Sequence, residues 1–204
     1  SGGSVPGSDT RGLQNYDDLY ADVLFWVGQG WVDYVVPQLY WPIGHPTADY
    51  DRLVRWWAKH AAGRPIYIVQ DVISTVTTPD VNNPTVNQMN AKFELERSFP
   101  SVQGHVLWYS AAVARNEGNY AYELQNNYHL TPALVPLMPF IDDAPPKKPR
   151  KLEALWMPDG YYLFWSPPKA KTEMDAAKFY VVYCFPKGQK IDLSSSTHIF
   201  SVTS

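Results

Sequence analysis

Cysteine is almost missing from this chain: Cys184 stands alone among 204 residues. A single thiol builds no disulfide framework, and its place in the alternating apolar run Phe179–Phe185 predicts a buried small hydrophobe. Histidine is scarce as well, with 5 in all and none at metal-ligand spacing, so neither a metal site nor a cofactor is expected. No apolar stretch approaches the roughly 20 residues that cross a bilayer, and no transmembrane segment is expected. Positive charge is not in excess either. The net charge of -3 sets up no field that attracts a polyanion, which argues against nucleic acid and acidic membranes as partners. The chain also opens without a Met or a signal-like segment, as a processed or excised chain would.

Aromatic residues, by contrast, are abundant, with 8 Trp and 14 Tyr. Several sit where short apolar strands end: Tyr34–Trp41 (YVVPQLYW), Pro65–Asp71 (PIYIVQD) and Val106–Ser110 (VLWYS). In a parallel sheet all strands deliver their C-terminal ends to one face, so these tails converge on a polar, aromatic-lined surface. Stacking on sugar rings is one use of such a surface, and plain packing is the other.

Between Asn15 and about Phe140 helical and strand patterns alternate. Asn15 reads as an N-cap followed by a stripe of Tyr16, Leu19, Tyr20, Val23 and Val27, closed by Gly28 and Gly30. A second helix is predicted around Asp49–Ala62, and a third from Pro84 with Val86, Met89 and Phe93 on one face, after a polar loop Thr75–Asn83. A further helix is predicted around Tyr120–Tyr128. The predicted strands, Tyr34–Tyr40, Ile66–Gln70 and Gly104–Tyr109, start roughly 32 to 38 residues apart, close to the ~30 per unit of an eight-fold β/α barrel. Three such units make less than half a barrel, and the Gly- and Ser-rich stretch Ser1–Arg11 looks like the loop after a missing strand. Residues 142–150 (DDAPPKKPR) form a Pro- and charge-rich linker. Beyond them four half-buried strands are predicted between Lys151 and Ser204, short of the seven in an immunoglobulin-like sandwich. The expected fold class is therefore α/β, the C-terminal portion of a (β/α)8 TIM barrel over residues 1–141, followed by a partial all-β sandwich over residues 151–204.

The candidate site residues lie at the strand ends. Gln38 offers an amide for sugar hydroxyls, and Tyr40 and Trp41 offer ring faces. Alternate members of that run would instead pack inward. His45, held between Pro42, Gly44 and Pro46, could bind a hydroxyl or shuttle a proton, or simply bond to backbone. Gln70 and Asp71 end the second strand. Asp71 is the one carboxylate at a strand terminus and hence the catalytic candidate, with a cap as its alternative role. Trp108 and Tyr109 complete the set as an aromatic wall, while Ser110 lacks a neighbouring triad.

The run from Asn15 to Asp22 (NYDDLYAD), that from Gly30 to Pro46 (GWVDYVVPQLYWPIGHP), Tyr50, Trp56-Trp57, Ile66–Ile68 and Val102–Gly104 closely resemble the bacterial glycosyl-hydrolase-like 10 family. The resemblance covers roughly residues 11 to 185 and continues into a module similar to fibronectin type III. It implies a TIM-barrel protein, extracytoplasmic and often lipid-anchored, acting on a polysaccharide such as peptidoglycan glycan or a related amino-sugar polymer. Relatives carry an Asp-rich motif at the end of the fourth strand, which would fall upstream of Ser1. This chain lacks it, so the two carboxylates of glycosidase chemistry are incomplete and no unaided hydrolysis is expected. Two other classes remain open: a carbohydrate-binding protein without turnover, and a structural scaffold. An open parallel sheet edge would also invite self-association.

Overall fold

The chain, represented by a computed structural model, is described over residues 8–10, 12–173 and 175–204. Apart from Ser8–Thr10, the Gly- and Ser-rich opening expected as a loop lies outside the described residues. Spatial contacts divide the chain into two units, Ser1–Tyr128 and His129–Ser204.

In the first unit α1 spans Val23–Gln29. It starts later than the apolar stripe predicts. Residues 15–19 form turns, and the N-cap is Asp22, whose Oδ1 accepts from the Phe25 N–H at 2.9 Å. A carboxylate there satisfies one of the helix's orphan amides, which Asn15 was expected to do. Gly30 ends the helix in the left-handed region at φ +72°, where only glycine sits without strain.

Three parallel segments form the sheet. β1 (Ile66–Asp71) lies beside β2 (Val102–Trp108) in parallel register. On its other edge β1 meets the extended segment 35–39, through Val35 N–H to Pro65 O, Tyr67 N–H to Val35 O, Val69 N–H to Pro37 O and Leu39 N–H to Val69 O. Pro37 in its middle has no N–H to give, and the segment is bridged only at Val35 and Gln38.

Helices cover one face of this sheet. α2 (Tyr50–Lys59) lies within the predicted Asp49–Ala62 stretch, and the Asp49 side chain caps it by accepting from the Asp51 N–H. α3 (Val72–Thr77) occupies part of what reads in sequence as a loop, because Asp71 caps it through a bond from the Ser74 N–H at 2.7 Å. α4 (Met89–Arg97) starts a turn after Pro84. α5 (Ser110–Ala114) and α6 (Tyr120–Glu123) follow, the latter running into a π-helical turn over Leu124–Tyr128. Ile66 and Ile68 pack with Leu39, Leu53, Val54 and Leu95 in one core cluster, and Val72, Met89, Phe93, Ala112 and Tyr120 form a second. The unit is thus a mixed helical body around a small parallel sheet.

The second unit contains two antiparallel pairs. β3 (Arg150–Met157) pairs with β4 (Gly160–Ser166) across the Pro158-Asp159 turn. β5 (Tyr180–Tyr183) pairs with β6 (Ile199–Thr203). The expectation of half-buried strands fails for β3, every residue of which is exposed. A two-stranded ribbon has no second layer to cover a face, and Ile199 is the only buried hydrophobic residue described in this unit. Cys184, expected in a core, is exposed for the same reason. Among the described residues no helix is long and apolar enough to cross a membrane.

Candidate functional site

Strand alternation decides which side chains reach the rim of the parallel sheet. Successive residues point to opposite faces. Ile66, Ile68 and Gln70 face the helices, because the first two belong to the helix-packed core. Tyr67, Val69 and Asp71 therefore face the opposite side. The register places Tyr67 beside Gly104, Val69 beside Val106 and Asp71 beside Trp108. Gln38 is bridged to Val69, and the Tyr40 ring stands 6.0 Å from that of Trp108. Gln38, Tyr40, Asp71 and Trp108 thus share one face at the C-terminal ends of three neighbouring segments, about 10 Å across by two strand spacings.

Trp41 and His45 belong to the loop that follows. Their rings lie 6.4 Å apart. His45 Nδ1 accepts from the Ala48 N–H at 3.1 Å, so in the neutral ring the proton sits on Nε2 and this face of the histidine is a donor. Tyr109 follows Trp108 with its ring 6.3 Å away and its side chain exposed. A groove of about 1140 Å3 runs along the 35–39 segment, and among its walls are Gln38, Trp41, Trp56, Trp57 and Asn15. Asp71, Trp108 and Tyr109 do not line it.

Gln70 departs from the expected arrangement. It is fully buried and its Nε2 donates to Glu96 Oε1 at 2.7 Å. Position 70 has the parity of Ile66 and Ile68, so its amide serves the interior of the unit and not the rim.

That interior holds a polar cluster absent from the sequence expectations. Glu96 Oε1 also accepts from the Tyr50 hydroxyl at 2.5 Å, and His105 Nδ1 lies 3.5 Å from Glu96 Oε2. Burial, then the nearby Glu96 carboxylate, holds the Tyr50 hydroxyl well above the usual phenol range. It therefore stays a donor. Lys92, fully buried, is pulled down to about 8 by desolvation, with Glu96 and Asp71 opposing the fall. Gln70 Oε1 and the Tyr120 hydroxyl are buried without a hydrogen-bond partner among the described residues. The signal in the sequence is the four-residue spacing of Gln88, Lys92 and Glu96, a pattern that a solvated helix face shares.

Chemically, the rim offers one amide, ring faces and one carboxylate. Asp71 Oδ1 is taken by the α3 cap. Hydrolysis by two carboxyl groups needs a partner roughly 5 to 9.5 Å away, and of Gln38, Tyr40, Asp71 and Trp108 only Asp71 is a carboxylate.

Aromatic, amide and carboxylate side chains thus meet at the ends of parallel strands. Residues 4–93 match the glycosyl hydrolase-like 10 family, and through that segment the chain belongs to this family. It is 32% identical over 182 residues to glycosyl hydrolase YngK of Bacillus subtilis, covering 87% of this chain and 35% of that protein. It is 36% identical over 110 residues to glycosyl hydrolase DigH of Escherichia coli, covering 50% of this chain and 25% of that protein. The chain therefore spans about a third or less of the length of these relatives.

Proposed function

We propose that this chain supplies a glycan-binding rim to a glycoside-hydrolase-like protein that acts on a cell-surface or extracellular polysaccharide, a peptidoglycan glycan or related amino-sugar polymer. Gln38 and His45 Nε2–H would bond hydroxyl or acetamido groups, and Tyr40, Trp41, Trp108 and Tyr109 would stack on pyranose faces. Asp71 is the carboxylate of this rim, beside Trp108. The observation that carries this reading is the shared face of Gln38, Tyr40, Asp71 and Trp108 beside an aromatic groove.

The architecture that suits it is part of a (β/α)8 barrel, with the second unit as part of a fibronectin type III-like module. An extracytoplasmic, lipid-anchored location fits a polysaccharide substrate. Titration of the 204-residue chain with chito-oligosaccharides, followed by tryptophan emission and calorimetry, tests the proposal. Saturable binding without release of reducing ends supports it, and unchanged emission at every concentration overturns it.

A binding protein without turnover is the second reading, favoured by the engagement of Asp71 Oδ1 in the α3 cap. Installing the chain in its full-length gene product and assaying reducing ends separates the two readings. The edge of the 35–39 segment away from β1 is also a surface for pairing between chains, and a purely monomeric sedimentation profile would oppose that.

A further inference from the structure

The polar stripe of α4 acts on the rim from behind. Gln88, Lys92 and Glu96 are all buried and stand one helical turn apart. Gln88 Oε1 accepts from the Ile43 N–H at 2.7 Å, and its Nε2 donates to Ile43 O at 3.0 Å and to Pro79 O at 3.1 Å. Lys92 Nζ donates to Trp41 O at 3.2 Å and to Thr75 Oγ1 at 3.0 Å. The Thr75 hydroxyl in turn donates to Asp71 O at 2.7 Å. The ammonium also lies 4.4 Å from the centre of the Tyr50 ring.

Stability alone does not account for a lysine here. Removing an ammonium from water is costly unless a charge partner and full hydrogen bonding offset it. Among the described residues the ion pairs within 4.0 Å join other groups, and Lys92 has no such carboxylate. Methionine would fill the same space without the desolvation penalty. What methionine lacks is the ability to hold two carbonyl-bearing rim segments in one grip.

We propose that Lys92 is a positioning residue for the glycan rim, fixing the Trp41 end of one segment against the Asp71 end of the next. The proposal rests on the rim reading above. Gln88 secures the same loop two residues beyond Trp41, and Thr75 relays the lysine's hold to the backbone of Asp71. Charge-assisted bonds of this kind are about twice as strong as neutral ones, so the geometry of Trp41 and Asp71 is set before a sugar arrives.

The test compares the 204-residue chain with Lys92→Met and Thr75→Val. Amide exchange by mass spectrometry reports residues 41–48 and 71–78, thermal unfolding reports global stability, and calorimetry reports chito-oligosaccharide affinity. Lys92→Met is expected to keep or raise the unfolding midpoint, to speed exchange in those two segments only, and to weaken sugar binding roughly tenfold. Thr75→Val should speed exchange at residues 71–78 alone. Unchanged exchange in both segments, or faster exchange across the whole unit in step with a lower midpoint, overturns the proposal. Because the exchange measurement needs no ligand, absence of sugar binding in the unmodified chain would sink the rim reading while still deciding the role of Lys92.

Discussion

The Trp108 indole and the Tyr40 ring face each other at 6.0 Å, tilted by 31°, with Asp71 on the strand between their segments. Trp108 is more than half exposed, an arrangement that packing does not require. Trp108→Ala should therefore leave folding stability nearly unchanged while weakening chito-oligosaccharide binding by about tenfold, the scale of one lost aromatic contact. Calorimetry on the variant checks this. Equal affinities in variant and parent would remove Trp108 from the site.

Asp71 has two roles that substitution can separate. Its Oδ1 caps α3, a contact worth about 1 kcal/mol. Asp71→Ala is expected to lose that stability together with any sugar contact. Asp71→Asn keeps the cap oxygen, so its unfolding midpoint should match the parent. If Asn at this position also leaves sugar binding and full-length turnover untouched, the carboxylate has only the capping role.

Much of this arrangement is legible in the amino-acid sequence. β1, β2 and α2 fall where apolar periodicity and Asp49 place them, because their signals are local. Helix starts were less legible. Asp22 and Asp71 decide where α1 and α3 begin, and capping by a single carboxylate competes with a longer apolar pattern such as Tyr16–Val27. The rim face of Gln38, Tyr40 and Trp108 follows from strand ends, but the direction of Gln70 depends on which parity the helices cover, a tertiary fact. Lys92 and Glu96 were hidden for the same reason: a charged pair at four-residue spacing looks solvated until three other segments are packed against it. In the second unit the alternation of Leu152, Ala154 and Trp156 predicts a strand correctly and burial incorrectly, since burial needs a facing layer.

Glu96 organises the interior by accepting from both Tyr50 and Gln70. Glu96→Ala strands two buried donors and removes the carboxylate that faces Lys92, and such losses typically cost about 3 to 5 kcal/mol. Tyr50→Phe removes one donor only and should cost about 1 to 3 kcal/mol. Urea unfolding of both variants measures the difference. An Ala variant as stable as the parent would show that the cluster contributes nothing to folding.

Lys92 also gives the unit an unusual response to alkali. Its pKa is about 8 in the folded chain against about 10.4 for an unperturbed lysine. In between, the unfolded chain holds a proton that the folded chain has released, so stability rises with pH across this window, by up to about 3 kcal/mol for the full difference. Tyr50 and Tyr120, both raised by burial, act oppositely but only above the ordinary phenol value near 10. Urea midpoints measured from neutral pH to about pH 10 should climb for the parent and stay flat for Lys92→Met. A parent whose stability falls through the window would mean that the ammonium is better solvated or paired than its surroundings indicate.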